Sequence, residues 1–121
     1  MPIAKNPKHI FEPTSLQCGQ AVIAMLADKS VKEVIEVVKT ERETKLSDMK
    51  FALKVFGINF CEEKKRAISK DDLPNFAMLS LETPKCWHWS LYFKGKFYDP
   101  EYGVLDDFPP CNRKFFWEIK S

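Results

Sequence analysis

The segment spanning residues 18–27, CGQAVIAMLA, constrains the fold of this chain more than any other stretch. Small or aliphatic side chains occupy nearly every face of a helix drawn through it, so the segment predicts a helix that is covered on all sides. A chain of 121 residues with 45% apolar and 30% charged side chains has the size and balance of one globular domain. We therefore predict a single domain over residues 1–121, built around this buried central helix.

Two further helices are predicted after the central one. Ser30, with Glu33 three residues later, matches a capping box, and apolar residues at helical spacing follow it. Ser47 is predicted to cap a third helix that ends at Gly57, a residue suited to the position just after a helix. Residues 1–14 hold three prolines and are predicted to form an extended arm that crosses the surface.

Beyond Gly57 the apolar runs become shorter, and they carry aromatic and β-branched residues with partial alternation, which is typical of strands. The predicted strands are residues 58–61, 76–81, 87–93, 96–99 and 115–119. Helices in the first half and strands in the second half predict an α+β domain, in which N-terminal helices pack on a mainly antiparallel sheet.

Charge and composition exclude several classes of function. Nineteen Lys and Arg against seventeen Asp and Glu leave a net charge of +2, and the two signs alternate instead of forming the basic stripe of a nucleic-acid surface. The longest uncharged stretch, residues 13–27, is interrupted by polar side chains, so we expect no membrane span. The first residues lack the apolar region of a secretory signal, and we expect a cytoplasmic protein.

The four cysteines, Cys18, Cys61, Cys86 and Cys111, have no short regular spacing, so we expect reduced thiols instead of disulfides. We also expect neither a metal nor a cofactor. Cys86 lies close to His88 in sequence, but a structural zinc site would need two more ligands with a clear source.

Cys18 is the candidate nucleophile because it stands where the central helix begins. Unpaired backbone amides and the helix dipole favour negative charge there, so an ionised thiol is stabilised. Thr14 and Ser15, just upstream, are candidate capping residues. The alternative interpretation is that Cys18 is a small buried apolar residue, as most free cysteines are.

His88 is the candidate base, and Asp99 is its candidate partner. If Lys94 and Gly95 form a two-residue hairpin loop, side-chain alternation places His88, Ser90 and Asp99 on one face of the sheet. Asp99 is then the diagonal neighbour of His88, and its carboxylate can accept the Nδ1 proton and leave Nε2 for a thiol. The alternative is a hydrogen-bonded core histidine beside a simple turn.

The sequence also predicts the positions of three other side chains. On this register Trp87 and Trp89 face away from His88 and are predicted to lie in the core. His9 lies in the proline-flanked arm with no carboxylate nearby in sequence, and is predicted to be a surface histidine.

Two segments together, PTSLQCGQAVIAML and HWSLYFKGKFYDPEYG, resemble the papain-like cysteine peptidases, in particular the group that includes the bacteriocin-processing double-glycine leader peptidases. The resemblance covers most of the chain and implies a compact papain-like fold. It also implies that Cys18 is the nucleophile, His88 the base and acid, and Asp99 the residue that orients His88.

The resemblance also identifies a departure from the family pattern. Such enzymes usually have a Gln six residues before the nucleophile, where its amide donates to the oxyanion, and this chain has Glu12 there. An ionised carboxylate cannot donate, and the loss of one donor costs roughly 2.7–4 kcal/mol of transition-state stabilisation. Two compensations are open: Gln17 supplies the donor, or burial keeps Glu12 neutral.

The function expected from these residues is hydrolysis of an amide in a protein or peptide substrate, either a peptide bond or a glutamine side chain, through a Cys18–His88–Asp99 triad. Two alternatives stay open. One is a papain-like module that binds protein and has lost the reaction, for which Glu12 is the main argument. The other is an interaction protein unrelated to papain, in which the His88 hairpin would lie far from the start of the first helix.

Overall fold

The computed structural model describes residues 7–120. Three helices come first in these residues: α1 (Cys18–Ala27), α2 (Val31–Val38) and α3 (Leu46–Val55). The strands that follow are β1 (Asn59–Phe60), β2 (Lys65–Ala67), β3 (Phe76–Glu82), β4 (Trp87–Phe93), β5 (Lys96–Asp99), β6 (Gly103–Leu105) and β7 (Lys114–Lys120). The predicted organisation, N-terminal helices and an antiparallel sheet, is confirmed. No helix among the described residues is long and apolar enough to cross a membrane.

The strands form one antiparallel sheet in the order β1-β7-β3-β4-β5-β6, and β2 also pairs with β7. The longest pairing joins β3 and β4 from Phe76–Phe93 to Glu82–Trp87. The pairing of β4 with β5 is shorter and ends at Leu91–Tyr98. Because β5 stops pairing there, the N-terminal half of β4 keeps an edge that other parts of the chain can approach.

Two apolar layers cover the two faces of the sheet, as the alternation along β3 dictates. Met78 belongs to the same buried cluster as side chains of all three helices, whereas Leu79 belongs to the cluster on the opposite face. That second layer is closed by side chains from the loops, among them Phe108. The segment predicted to be a buried helix is α1, and its residues from Gly19 to Leu26 are all buried.

The starts of α2 and α3 are both capped by local hydrogen bonds, and the cap of α3 is not the predicted residue. The capping box of Ser30 and Glu33 is confirmed, since each side chain accepts the other residue's backbone N–H at 3.1 Å. The prediction that Ser47 caps α3 is wrong: Lys45 is the N-cap, and the Asp48 carboxylate accepts its backbone N–H at 2.9 Å. Gly57, with φ +72°, follows the end of this helix as predicted.

The arm is described from residue 7 onward, and the remainder of the predicted range 1–14 lies outside the described residues. Residues 7–12 form neither helix nor strand. They lie against the turn that follows β5, where the Glu12 backbone N–H donates to the Pro100 carbonyl at 2.8 Å. This contact places the side chain of Glu12 close to the N-terminal half of β4.

Candidate active site

The hairpin between β4 and β5 has the predicted two-residue loop. Phe93 pairs with Lys96, and the two loop residues both have positive φ, 44° for Lys94 and 90° for Gly95. This is the conformation that matches the right-handed twist of the strands. The loop fixes side-chain parity, and Ser90 and Asp99 consequently meet on one face: the Ser90 hydroxyl donates to Asp99 Oδ2 at 2.8 Å.

Asp99 is the centre of the polar cluster on that face. Its side chain is 0% exposed, and its carboxylate accepts hydrogen bonds from His88 Nε2 (2.9 and 3.1 Å) and from the backbone N–H groups of Glu101 (2.9 Å) and Tyr102 (3.0 Å). Burial alone would raise the pKa of this carboxyl, but the hydrogen bonds and the charge of His88 hold it below its ordinary 3.8. Asp99 is therefore a carboxylate at neutral pH.

His88 meets Asp99 through the opposite ring nitrogen from the one predicted. The predicted contact was through Nδ1, whereas Nε2 is the nitrogen that contacts the carboxylate, so Nδ1 is not used by Asp99. Asp99 lies diagonally beyond the end of the β4–β5 pairing, so the outer nitrogen of the ring is the one that reaches it. Burial alone would lower the pKa of His88, but hydrogen bonds and charges from Asp99 and Cys18 raise it to about 10.

Cys18 lies at the edge of β4 that β5 leaves open. The Trp89 backbone N–H points at the Cys18 sulfur, with 3.5 Å between nitrogen and Sγ. The next residue, Gly19, permits this approach, because a Cβ there would lie 1.9 Å from Thr44 Oγ1 and 3.1 Å from Trp89 Cδ1. A glycine after the cysteine is thus required by the packing of the start of α1 against both neighbours.

The predicted triad residues come together, and Glu12 joins them. A carboxylate oxygen of Glu12, the sulfur of Cys18 and a ring nitrogen of His88 all lie within 4.8 Å of one another. Glu12 Oε1 is buried and has no hydrogen-bond partner among the described residues. Burial, together with nearby Glu101 and Asp99, raises the pKa of Glu12 above its ordinary 4.5, against the opposing charges of His88 and Lys85.

Gln17, the other predicted oxyanion donor, has a different contact. Its side-chain Nε2 donates to the Glu41 carbonyl at 3.0 Å. Gln20, one helical turn later, donates to the carbonyls of Thr40 (3.0 Å) and Arg42 (2.8 Å). Both amides therefore fasten the segment between α2 and α3 against the start of α1, a role that the sequence analysis missed. A Gln inside an apolar helix was the signal for it, because a buried amide must find partners.

Thr14 and Ser15 were candidate caps for α1. Thr14 instead closes a turn of its own, in which its carbonyl accepts the Gln17 N–H at 3.1 Å and its hydroxyl accepts the Leu16 N–H at 3.3 Å. Ser15 is exposed. The helix N-cap is Gln17, whose side chain makes no capping bond, so the first amides of α1 are not satisfied by their own N-cap.

Two predictions about neighbouring side chains are wrong. Trp87 is 47% exposed instead of buried, because the apolar layer under the helices ends at Trp89. The Trp87 ring packs on Phe115, and the Arg113 guanidinium lies over it. His9 is half-buried instead of lying free on the surface, since its Nε2 donates to the Asp99 backbone carbonyl at 2.6 Å. The arm and the acid of the cluster are thus directly joined.

The four thiols are free and differ in exposure: Cys86 is exposed, and Cys18, Cys61 and Cys111 are partly buried. One group of potential metal ligands occurs among the described residues, and it consists of Glu12, Cys18 and His88. Cys86, which is close to His88 in sequence, is not a member of this group. Cys86 instead lies in the turn that precedes Trp87, where the Cys86 backbone N–H donates to the Thr83 hydroxyl at 3.2 Å.

The arrangement brings together groups that nucleophilic chemistry uses. A sulfur at a helix start faces an imidazole that is protonated at neutral pH, and a buried carboxylate fixes the orientation of that imidazole. Comparison with known proteins adds no relative: no family model matches the chain, and no curated protein matches its sequence significantly.

Proposed function

We propose that this protein is a papain-like thiol hydrolase that cleaves an amide through Cys18, His88 and Asp99. One observation carries the proposal: a ring nitrogen of His88 lies within 4.8 Å of the Cys18 sulfur, and Nε2 of the same ring is hydrogen-bonded to the buried Asp99 carboxylate. This arrangement supports the roles of nucleophile for Cys18, base for His88 and orienting residue for Asp99.

In the proposed mechanism the Cys18 thiolate is the nucleophile, and an imidazolium at His88 lies beside it. The raised pKa of His88 keeps the ring protonated, and its partners Asp99 and Cys18 are the groups that raise it. The Trp89 N–H directed at the sulfur favours the thiolate as well. Asp99 contributes by fixing the ring, since its Ser90 and backbone donors hold the carboxylate itself in place.

The reaction proceeds in two halves. The thiolate attacks the amide carbon, and the tetrahedral intermediate collapses as the C–N bond breaks and the departing nitrogen takes the proton of His88. The neutral imidazole then removes a proton from water, and the hydroxide cleaves the thioester, which releases the acid and restores the ion pair.

The oxyanion of the intermediate needs donors, and Glu12 is the side chain placed to supply one. A protonated carboxyl donates a hydrogen bond, and the raised pKa of Glu12 favours the protonated form. Its buried Oε1 has no partner among residues 7–120, so it is free to face a developing charge. We propose that neutral Glu12 and the Cys18 backbone N–H together form the oxyanion hole.

A peptide library read by mass spectrometry tests the activity and identifies its type. New peptide termini indicate a peptidase, and conversion of glutamine to glutamate indicates a deamidase. We expect one of these products from the wild type and from the control Cys111→Ser, and neither from Cys18→Ala or His88→Gln. Products that persist in Cys18→Ala contradict the mechanism. Absence of products, together with no labelling of Cys18 by a broad-specificity peptide electrophile, favours the protein-binding module.

Glu12→Gln tests the oxyanion assignment with that same substrate. A glutamine donates at every pH, so we expect turnover above that of the wild type at pH 8, where a smaller fraction of Glu12 is protonated, and a smaller difference at pH 5. Turnover that falls on this substitution at both pH values would show that the carboxyl group itself takes part in proton transfer, and would contradict a simple donor role.

A further inference from the structure

Glu12, Cys18 and His88 present the three ligand types that zinc takes most readily in proteins: a carboxylate oxygen, a thiolate sulfur and an imidazole nitrogen. We propose that these residues form a zinc-binding site and that a bound Zn²⁺ blocks the nucleophile. The proposal goes beyond the hydrolase function and does not depend on it, because it needs only the ligand set.

The spacing of the three atoms fits a metal that draws them inward. They lie within 4.8 Å of one another, whereas ligand atoms of tetrahedral zinc, with bonds of about 2.0–2.3 Å, lie roughly 3.5 Å apart. The closure required is therefore on the order of 1 Å. Three protein ligands leave the fourth position for water.

The surroundings of His88 also match a metal ligand. A zinc-bound histidine commonly donates its second ring N–H to a carboxylate, which fixes the tautomer and raises the basicity of the ring. His88 Nε2 donates to Asp99 in this way, which leaves Nδ1 as the ring nitrogen for a metal. Ser90 and two backbone N–H groups hold Asp99 in turn.

Glu12 supplies the independent observation that points to a ligand. Its Oε1 is buried without a hydrogen-bond partner among the described residues, and a buried oxygen of this kind needs a proton or a cation beside it. Thiolate and carboxylate together carry two negative charges, which balance Zn²⁺. The sulfur selects zinc over Mg²⁺ and Ca²⁺, because these cations prefer oxygen ligands.

Zinc binding is measured on the tag-free chain by competition with a chromogenic zinc chelator. We expect the wild type to bind one zinc per chain. The zinc affinity should be at least about tenfold weaker in Cys18→Ser, His88→Gln and Glu12→Gln, and about 10–100-fold weaker in Asp99→Asn. Cys86→Ser, which removes the exposed thiol, should bind as the wild type does. Wild-type affinity in Glu12→Gln, or zinc binding that depends on Cys86, overturns the proposal.

A second readout needs no variant. Zinc should protect Cys18 of the wild type from iodoacetamide while Cys86 stays reactive, and Mg²⁺ should protect neither. Equal alkylation of Cys18 with and without saturating zinc overturns the proposal. Without zinc, the contrast between Cys18 and the other thiols tests the hydrolase site, so the two proposals can fail separately.

Discussion

Replacement of Asp99 is the perturbation whose consequence the structure determines most closely. The side chain is fully buried and accepts bonds from four groups: His88, Ser90, and the backbone N–H groups of Glu101 and Tyr102. In Asp99→Ala water can reach the backbone donors, because Glu101 and Tyr102 are exposed. His88 and Ser90, at 4% and 0% exposure, are left without their acceptor.

The expected cost follows from those two groups. Removing one partner of a buried charged pair typically destabilises a protein by about 3–5 kcal/mol. An unpaired buried hydroxyl has a cost of about 1–3 kcal/mol, and part of that cost is already included in the first figure. We therefore expect Asp99→Ala to lower the free energy of unfolding by about 3–5 kcal/mol, a large share of the total for a domain of this size.

Asp99→Asn separates charge from hydrogen bonding. The amide oxygen can still accept from the backbone donors, and the amide nitrogen can donate to the Ser90 hydroxyl, so the cost should be about 1–2 kcal/mol. The sign of the pH dependence also follows. Because the pKa of Asp99 is lowered on folding, its stabilisation is present above pH 3.8 and is lost as the pH falls through the lowered value. The advantage of the wild type over Asp99→Asn should therefore shrink in acid.

Equilibrium unfolding in urea, followed by tryptophan fluorescence, measures these differences. Asp106→Ala is a matched control, because Asp106 is an exposed aspartate whose carboxylate meets Lys96 at the surface. We expect that control to stay within about 0.5 kcal/mol of the wild type. A cost below about 1 kcal/mol for Asp99→Ala would refute the reasoning, because a buried hub of four donors cannot be removed so cheaply.

Two further predictions concern the start of α1 and the arm. Gly19→Ala should lower the free energy of unfolding in urea by about 1–3 kcal/mol, because its new Cβ would clash with Thr44 Oγ1. In the Gly19→Ala background, Thr44→Ala should restore part of that stability, and Thr44→Ser should restore less because it keeps the hydroxyl. An unchanged stability in Gly19→Ala would contradict the close approach. In thermal unfolding, Glu12→Gln should be more stable than the wild type at pH 8 and as stable as the wild type near pH 4. The reason is that folding favours the neutral form of a carboxyl whose pKa is raised from 4.5. An equal effect at both pH values would contradict the burial of Glu12.

Features with local causes could be predicted from the sequence. The segment of mostly small and aliphatic residues identified α1, and the spacing of Ser30 and Glu33 identified the start of α2. The loop at Lys94 and Gly95 fixed the face that Asp99 occupies. Each of these depends on residues at most a few positions apart.

Features set by distant contacts could not be predicted. The half-burial of His9 depends on Asp99, 90 residues away in the chain, and nothing near His9 indicates it. Strand β2 was missed because only its Ala67 is buried, so the alternation of apolar residues is absent; its backbone nevertheless pairs with β7. The ring nitrogen of His88 that meets Asp99 depends on where the β4–β5 pairing ends, which parity alone does not determine.

Alkylation of the native protein with limiting iodoacetamide at pH 6, mapped by mass spectrometry, tests the central claim of an activated sulfur at Cys18. Exposure alone favours Cys86, and burial raises the pKa of Cys111 and slows it. We expect Cys18 to react first in the wild type and to lose that advantage in His88→Gln, because the imidazolium that stabilises the thiolate is gone. If Cys86 reacts before Cys18 in both the wild type and His88→Gln, the result contradicts an activated sulfur at Cys18.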